Sequence, residues 1–195
     1  MRILIKQTLI LPLLFFIPVF VSGYLVDGYN PISQQASEIT LTKFETAKAI
    51  INIGAILPGL SCILFSVGTL LLSYKRLFLS SILIFIFGIS MISNGLFPMS
   101  NPMHGFYGIG LSLIMLPFIC CYELKNVIKE KRFFRLSIFS GIIIFIYLWS
   151  TLVRLDPENY KGLTQRLASV VIFGWIAYAA HVINKNSLEI STNAN

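Results

Sequence analysis

Charge is scarce in this chain. Only 12% of its 195 residues are charged against 56% hydrophobic, and mean hydropathy is +0.81, a balance that excludes an ordinary soluble domain. Histidine and cysteine are scarcer still, at two and three residues. Cys62, Cys120 and Cys121 all fall in apolar runs, and adjacent Cys120 and Cys121 are poor disulfide partners. With no ligand-spaced Cys/His set, the sequence reads as carrying no metal and no cofactor, its thiols being reduced packing residues. S-acylation of Cys120 or Cys121 is the other reading. Charges are confined to the ends of the apolar runs, whose cores offer Asn52, Ser61, Ser90, Ser93 and Asn94. That pattern argues against proton-coupled transport, which needs ionisable groups deep in the spans. Basic residues outnumber acidic ones, 15 to 8. They flank apolar runs instead of forming a basic, aromatic-interleaved surface, so nucleic acid is not an expected partner.

What the chain does have is apolar length. About 20 apolar residues cross roughly 30 Å of hydrocarbon, and six runs meet that requirement, at about 3–24, 46–74, 77–97, 102–122, 133–153 and 164–183. The expectation is an all-α polytopic membrane protein, a bundle of six transmembrane helices spanning residues 1–185. Residues 186–195 read as a disordered cytoplasmic tail. Val21-Ser22-Gly23 resembles a signal-peptide cleavage site, but the run is longer than a signal core and reads as a retained helix, kinked by Pro12 and Pro18. Thr42 and Glu45 form a capping-box pattern ahead of the second run. Asn101-Pro102 reads as cap and first residue of the fourth helix, with His104 in its first turn.

Ten of the 15 basic residues lie on one side of such a bundle: Arg2, Lys6, Lys75, Arg76, Lys125, Lys129, Lys131, Arg132, Arg135 and Lys185. The positive-inside rule then places both termini in the cytoplasm of a protein integral to the cytoplasmic (inner) membrane. The 125–135 cluster can also attract anionic lipid heads. Small residues in the spans, Gly54, Gly59 and Gly88 among them, allow close helix contact within one bundle or in a homo-oligomer.

Three chemically mixed segments share the opposite face. The first, from Asp27 to Glu38, holds Tyr29, Asn30-Pro31, Ser33, Ser37 and Glu38, and suits either a solvated loop with local caps or a re-entrant or interfacial helical segment from about Pro31 to Ile39. The second, from Phe97 to Gly105, carries His104, with Asn94 at nearly the same depth. The third ends with Arg166 one turn into the last helix, where a guanidinium needs Glu38, Asp27 or a lipid phosphate as partner.

Tyr29-x-Pro31-x-Ser33 with Ser37-Glu38, then Phe97-Pro98 with His104-Gly105, then Gly162-Leu163-x-Gln165-Arg166 before a Trp-containing last span, resembles the prokaryotic membrane family catalogued as domain of unknown function 998. The likeness covers nearly the whole chain. Where that family leads one to expect an acidic residue after the Phe-Pro pair, this chain has Met99-Ser100-Asn101. The layout is similar to six-helix eukaryotic proteins of lipid remodelling, a fold-level analogy only.

Two functions compete on these residues. One is non-enzymatic binding of a membrane lipid headgroup or small amphiphile at the outer face, with His104 and Arg166 holding an anion while Tyr29 and Asn94 orient it. The other is an intramembrane hydrolase or acyltransferase with His104 as general base, Glu38 orienting it and Ser33, Ser37 or Ser100 as nucleophile. No nucleophile elbow supports the second.

Overall fold

The computed structural model describes residues 1–192 and contains no strand among them. In chain order the helices are α1 (Arg2–Lys6), α2 (Leu11–Tyr24), α3 (Glu45–Leu72), α4 (Phe78–Leu96), α5 (Leu116–Leu124), α6 (Lys131–Leu152), α7 (Lys161–Lys185) and α8 (Ser187–Thr192). Tight 3₁₀ turns join them at Gln7–Ile10, Ala36–Leu41, Ile109–Met115 and Glu158–Tyr160. Five helical stretches are long and apolar enough to cross a membrane: Arg2–Tyr24, Glu45–Leu72, Phe78–Leu96, Lys131–Leu152 and Glu158–Lys185. This is an integral membrane protein.

The first stretch is interrupted ahead of Pro12, which stands in the first turn of α2, where a missing N–H costs nothing. Gln7 ties the interruption down: its Nε2 donates to Leu4 O at 2.8 Å and Ser61 O at 3.0 Å, and its Oε1 accepts from the Ser61 hydroxyl at 2.6 Å. Further along, Pro18 packs directly on α3, because a Cβ on Gly54 would stand 2.4 Å from Pro18 Cβ. The closest helix pairing is α3 with α4. A Cβ on Gly59 would meet Gly88 O at 2.7 Å, and one on Gly88 would meet Gly59 O at 2.8 Å. In lipid such backbone approach supplies the packing that drives association.

The fourth apolar run departs from expectation. Residues 102–108 form turns, and Gly105, Phe106, Tyr107 and Gly108 all have positive φ, a conformation no α-helix contains. Asn101 Oδ1 does accept from Met103 N at 2.8 Å, but the turn it closes does not propagate, and His104 sits in that turn rather than in a helix. Regular structure begins only at Ile109 and ends at Leu124. Because a 3₁₀ turn rises about 2.0 Å per residue against 1.5 Å in an α-helix, this segment reaches about 27 Å. It runs antiparallel to α4 along that helix's whole length. At one end Ser90 and Ser93 donate to Gly105 O and Met103 O; at the other, the Glu123 carboxylate accepts from Leu79 N at 2.8 Å and Ser80 N at 3.1 Å. Glu123 thereby satisfies two free donors of the α4 N-terminus and complements its positive end.

Two smaller differences concern caps and the tail. Thr42 closes a local turn, its Oγ1 accepting from Phe44 N, and Glu45 pairs with Lys48. The reciprocal capping box lies one loop earlier, between Gln35 and Glu38. The segment read as a disordered tail begins with α8, because Ile190 has a core to enter and is fully buried. Residues 193–195 lie outside the described residues.

The bundle therefore has two distinct ends. The loop end carries residues 25–44, 97–108 and 153–160; the basic end carries 73–77, 125–130 and α8.

Candidate functional site

At the loop end, two of the sequence motifs turn out to be halves of one clasp. Gly162 has no Cβ, and one placed there would lie 2.2 Å from Gln34 O and 2.4 Å from Pro31 O. That vacancy lets the first loop lie against the start of α7. Leu163 N donates to Ile32 O at 2.9 Å, and Gln165 Oε1 accepts from Ala36 N at 2.7 Å. Arg166 completes the contact. Its Nη1 lies 2.8 Å from Pro31 O, 3.1 Å from Gln34 O and 2.7 Å from Gly162 O, while Nη2 donates to the Tyr29 hydroxyl at 2.5 Å. Tyr29 passes its own proton on to Gln34 O at 3.2 Å. Burial pushes the Tyr29 phenol above its ordinary pKa, and the Arg166 bond pulls against that rise. The neutral phenol is the form that can both accept from Arg166 and donate to the loop.

No ion pair joins Arg166 to a carboxylate among the described residues. Glu38, one of the partners expected for it, instead accepts from Gln35 N at 2.8 Å. The guanidinium is held by carbonyl dipoles, which suits its fork of donors. Tyr29 and Arg166 also line a shallow cavity of about 370 Å³ beside Asp27 and Gly28, so their remaining surface faces that recess.

The second loop folds onto itself around His104. Its Nδ1 lies 2.9 Å from Phe97 O. A carbonyl oxygen only accepts, so Nδ1 carries a proton, and in the neutral ring Nε2 is then the nitrogen with the free lone pair. The first and second loops are also joined, through Met99 N donating to Thr40 Oγ1 at 3.0 Å and a weak Ser37 Oγ to Met99 Sδ contact at 3.5 Å.

Beneath these joined loops lies a partly open cavity of about 220 Å³ inside the bundle. Its apolar floor includes Phe15, Phe87, Met91 and Phe173, and its polar rim is formed by Ser37, Asn94, His104, Tyr147, Gln165 and Ser169. Apart from the His104 imidazole, every rim group is a neutral hydroxyl, phenol or amide. Gln165 has spent its oxygen on Ala36 and keeps its amide donors; Asn94 makes only a 3.9 Å contact to Met91 Sδ. Donors and an acceptor thus converge on one small, mostly apolar space. Among the described residues no group of three or more His, Cys, Asp or Glu could hold a metal.

The structure divides the residues named from sequence into separate places. His104, Asn94 and Ser37 line the central cavity; Tyr29 and Arg166 belong to the clasp and its recess; Glu38 caps the turn between them; Ser33 sits in the clasped loop. No serine hydroxyl hydrogen-bonds His104 among the described residues, and Phe97 O, not Glu38, orients the ring. Sequence reading missed Tyr147, Gln165 and Ser169 as cavity residues. Their signal was a polar group at helical spacing on α7, Gln165 and Ser169 four apart, and a lone Tyr in the last turns of α6.

A family model described as a protein of unknown function (DUF998) matches residues 9–182. The chain belongs to this family. Neither the curated proteins nor the solved structures contain a match to it. In this DUF998 member the first loop, held to α7 by the clasp, and the His104 turn both reach the central cavity, through Ala36, Ser37 and His104.

Proposed function

We propose that this DUF998 protein crosses the cytoplasmic membrane six times, with both termini in the cytoplasm, and binds an uncharged, hydrogen-bonding head of a membrane amphiphile in the cavity at its extracytoplasmic end. The sixth crossing is the segment that runs antiparallel to α4, and the orientation rests on the basic residues gathered at the opposite end. The observation that carries the binding reading is the cavity's rim: among the described residues His104 Nε2 and the Gln165 amide nitrogen have no protein partner, and the Asn94 amide has only its long contact to Met91 Sδ, above an apolar floor. At about 220 Å³ the space is smaller than pockets that enclose whole drug-sized ligands, about 300–1,000 Å³. A head group fits there with its chain outside. A hydroxyl, ester or amide head suits this rim better than an anion, because Arg166 is committed to the clasp.

The test is mass spectrometry of the amphiphile that co-purifies with the full chain. His104→Ala should lower its retention about fivefold, the effect of losing roughly one neutral hydrogen bond. Retention equal to that of the parent protein would refute the reading. The fixed tautomer of His104 also favours a second reading, an intramembrane hydrolase or acyltransferase with Nε2 as general base. Turnover of an ester or amide lipid probe that is lost in His104→Ala would favour it over simple binding.

A further inference from the structure

A second recess lies on the outside of the bundle. No α6 residue after Ile144 is buried, whereas α7 buries Ala168, Ser169 and Ile172 at the same level. The last two turns of α6 therefore reach the interior only through partly buried side chains such as Tyr147 and Leu148. They leave a lateral groove of about 550 Å³ between α6 and α7, walled by Ile143, Ile146, Leu167, Val170 and Val171. Ile146, Leu167 and Val170 are each more than half exposed, so the groove opens sideways, toward lipid.

At the loop end of this apolar groove stands one carboxylate. Asp156 Oδ1 accepts from the Thr164 hydroxyl at 2.8 Å, and Oδ2 is buried with no hydrogen-bond partner. None of the ion pairs among the described residues includes Asp156; Lys161, five residues on, pairs with Glu158 at 3.8 Å. A negative charge at the edge of the hydrocarbon with a single neutral donor is poorly compensated. Arg154, on the same loop, is exposed. The groove itself thus presents a carboxylate at its loop end and an aliphatic wall along its length.

We propose that the α6–α7 groove is a binding site for an aminophospholipid, whose ammonium meets Asp156 and whose acyl chain lies along the aliphatic wall. Asp156 is partly exposed and sits on a loop, so a side-chain rotation brings its buried Oδ2 to the ligand without moving the helices. The site is separate from the central cavity, although Tyr147 lines both. An acyl chain in the groove consequently packs beside a wall of the cavity.

The experiment is native mass spectrometry of the full chain titrated with equal amounts of phosphatidylethanolamine and phosphatidylglycerol of identical chains. The parent protein should retain the ethanolamine lipid preferentially. Asp156→Asn should lower that retention about tenfold, leave phosphatidylglycerol unchanged and erase the preference, as expected for loss of one charge-assisted contact. Leu167→Trp, which fills the groove from its exposed wall and leaves Asp156 intact, should lower retention of both lipids. Equal retention of the two lipids by the parent protein, or an undiminished preference in Asp156→Asn, would overturn the proposal. Loss of the central-cavity ligand in His104→Ala, with this preference intact, would separate the two sites.

Discussion

The loop end and the basic end of the bundle hold their connections in different ways. At the basic end the connections are short and anchored by aliphatic side chains: Leu77, Val127 and Ile128 are buried in the core while Lys75, Lys125 and Lys129 are exposed. Its visible ion pair, Lys185 with Glu130, is largely exposed. At the loop end the connections are longer and are fixed by directional hydrogen bonds, from Arg166, Leu163 and Gln165 to the first loop and from Met99 to Thr40. Aliphatic burial sets how deep a connection sits but tolerates sliding. A set of hydrogen bonds with fixed geometry sets position in all directions, and that is what a roof over a cavity requires.

That contrast can be broken at the clasp. The largest effect is expected from Gly162→Ala, because the new methyl would overlap two backbone carbonyls that cannot move independently of the loop. A destabilisation of about 3 kcal/mol, near the upper end for overpacking, should appear as a lower melting temperature in detergent, with faster amide exchange confined to residues 30–36. Arg166→Lys should come next. A single ammonium cannot reach both the Tyr29 hydroxyl and the loop carbonyls from one position, so a loss of about 1–2 kcal/mol is expected. Exchange at the first loop should rise while the 125–130 connection is unaffected. The smallest effect belongs to the basic end: Lys185→Ala removes an exposed ion pair and should leave the melting temperature unchanged. A Lys185 variant as damaging as the Arg166 variant would remove the distinction between the ends.

The helices were largely legible in the residues. Runs of apolar length gave α3, α4, α6 and α7 to within about three residues, because lipid demands that backbone groups be satisfied within each segment. The fourth run misled for a physical reason. The run from 102 to 122 reads as one continuous span, yet Gly105 and Gly108, with Phe106 and Tyr107 between, take positive φ and form turns. Composition counts those residues as apolar and says nothing of their backbone. The candidate site was legible in part. His104 and Asn94 were recognisable as polar groups at one depth, but whether Arg166 faced a ligand, a carboxylate or a loop depended on where Pro31 and Gln34 carbonyls lay, more than 130 residues away.

By itself the sequence determined that the chain enters a membrane, which stretches are apolar and which end gathers positive charge, because those properties are sums over local residues. Tertiary structure alone decided that Gly162-Leu163-x-Gln165-Arg166 closes on the Tyr29–Ala36 loop, that Glu123 caps α4, and that His104 and Asn94 share a cavity with Tyr147 and Gln165. Those pairings depend on directional bonds between residues far apart in the chain. No local property of either partner contains the geometry that makes them meet.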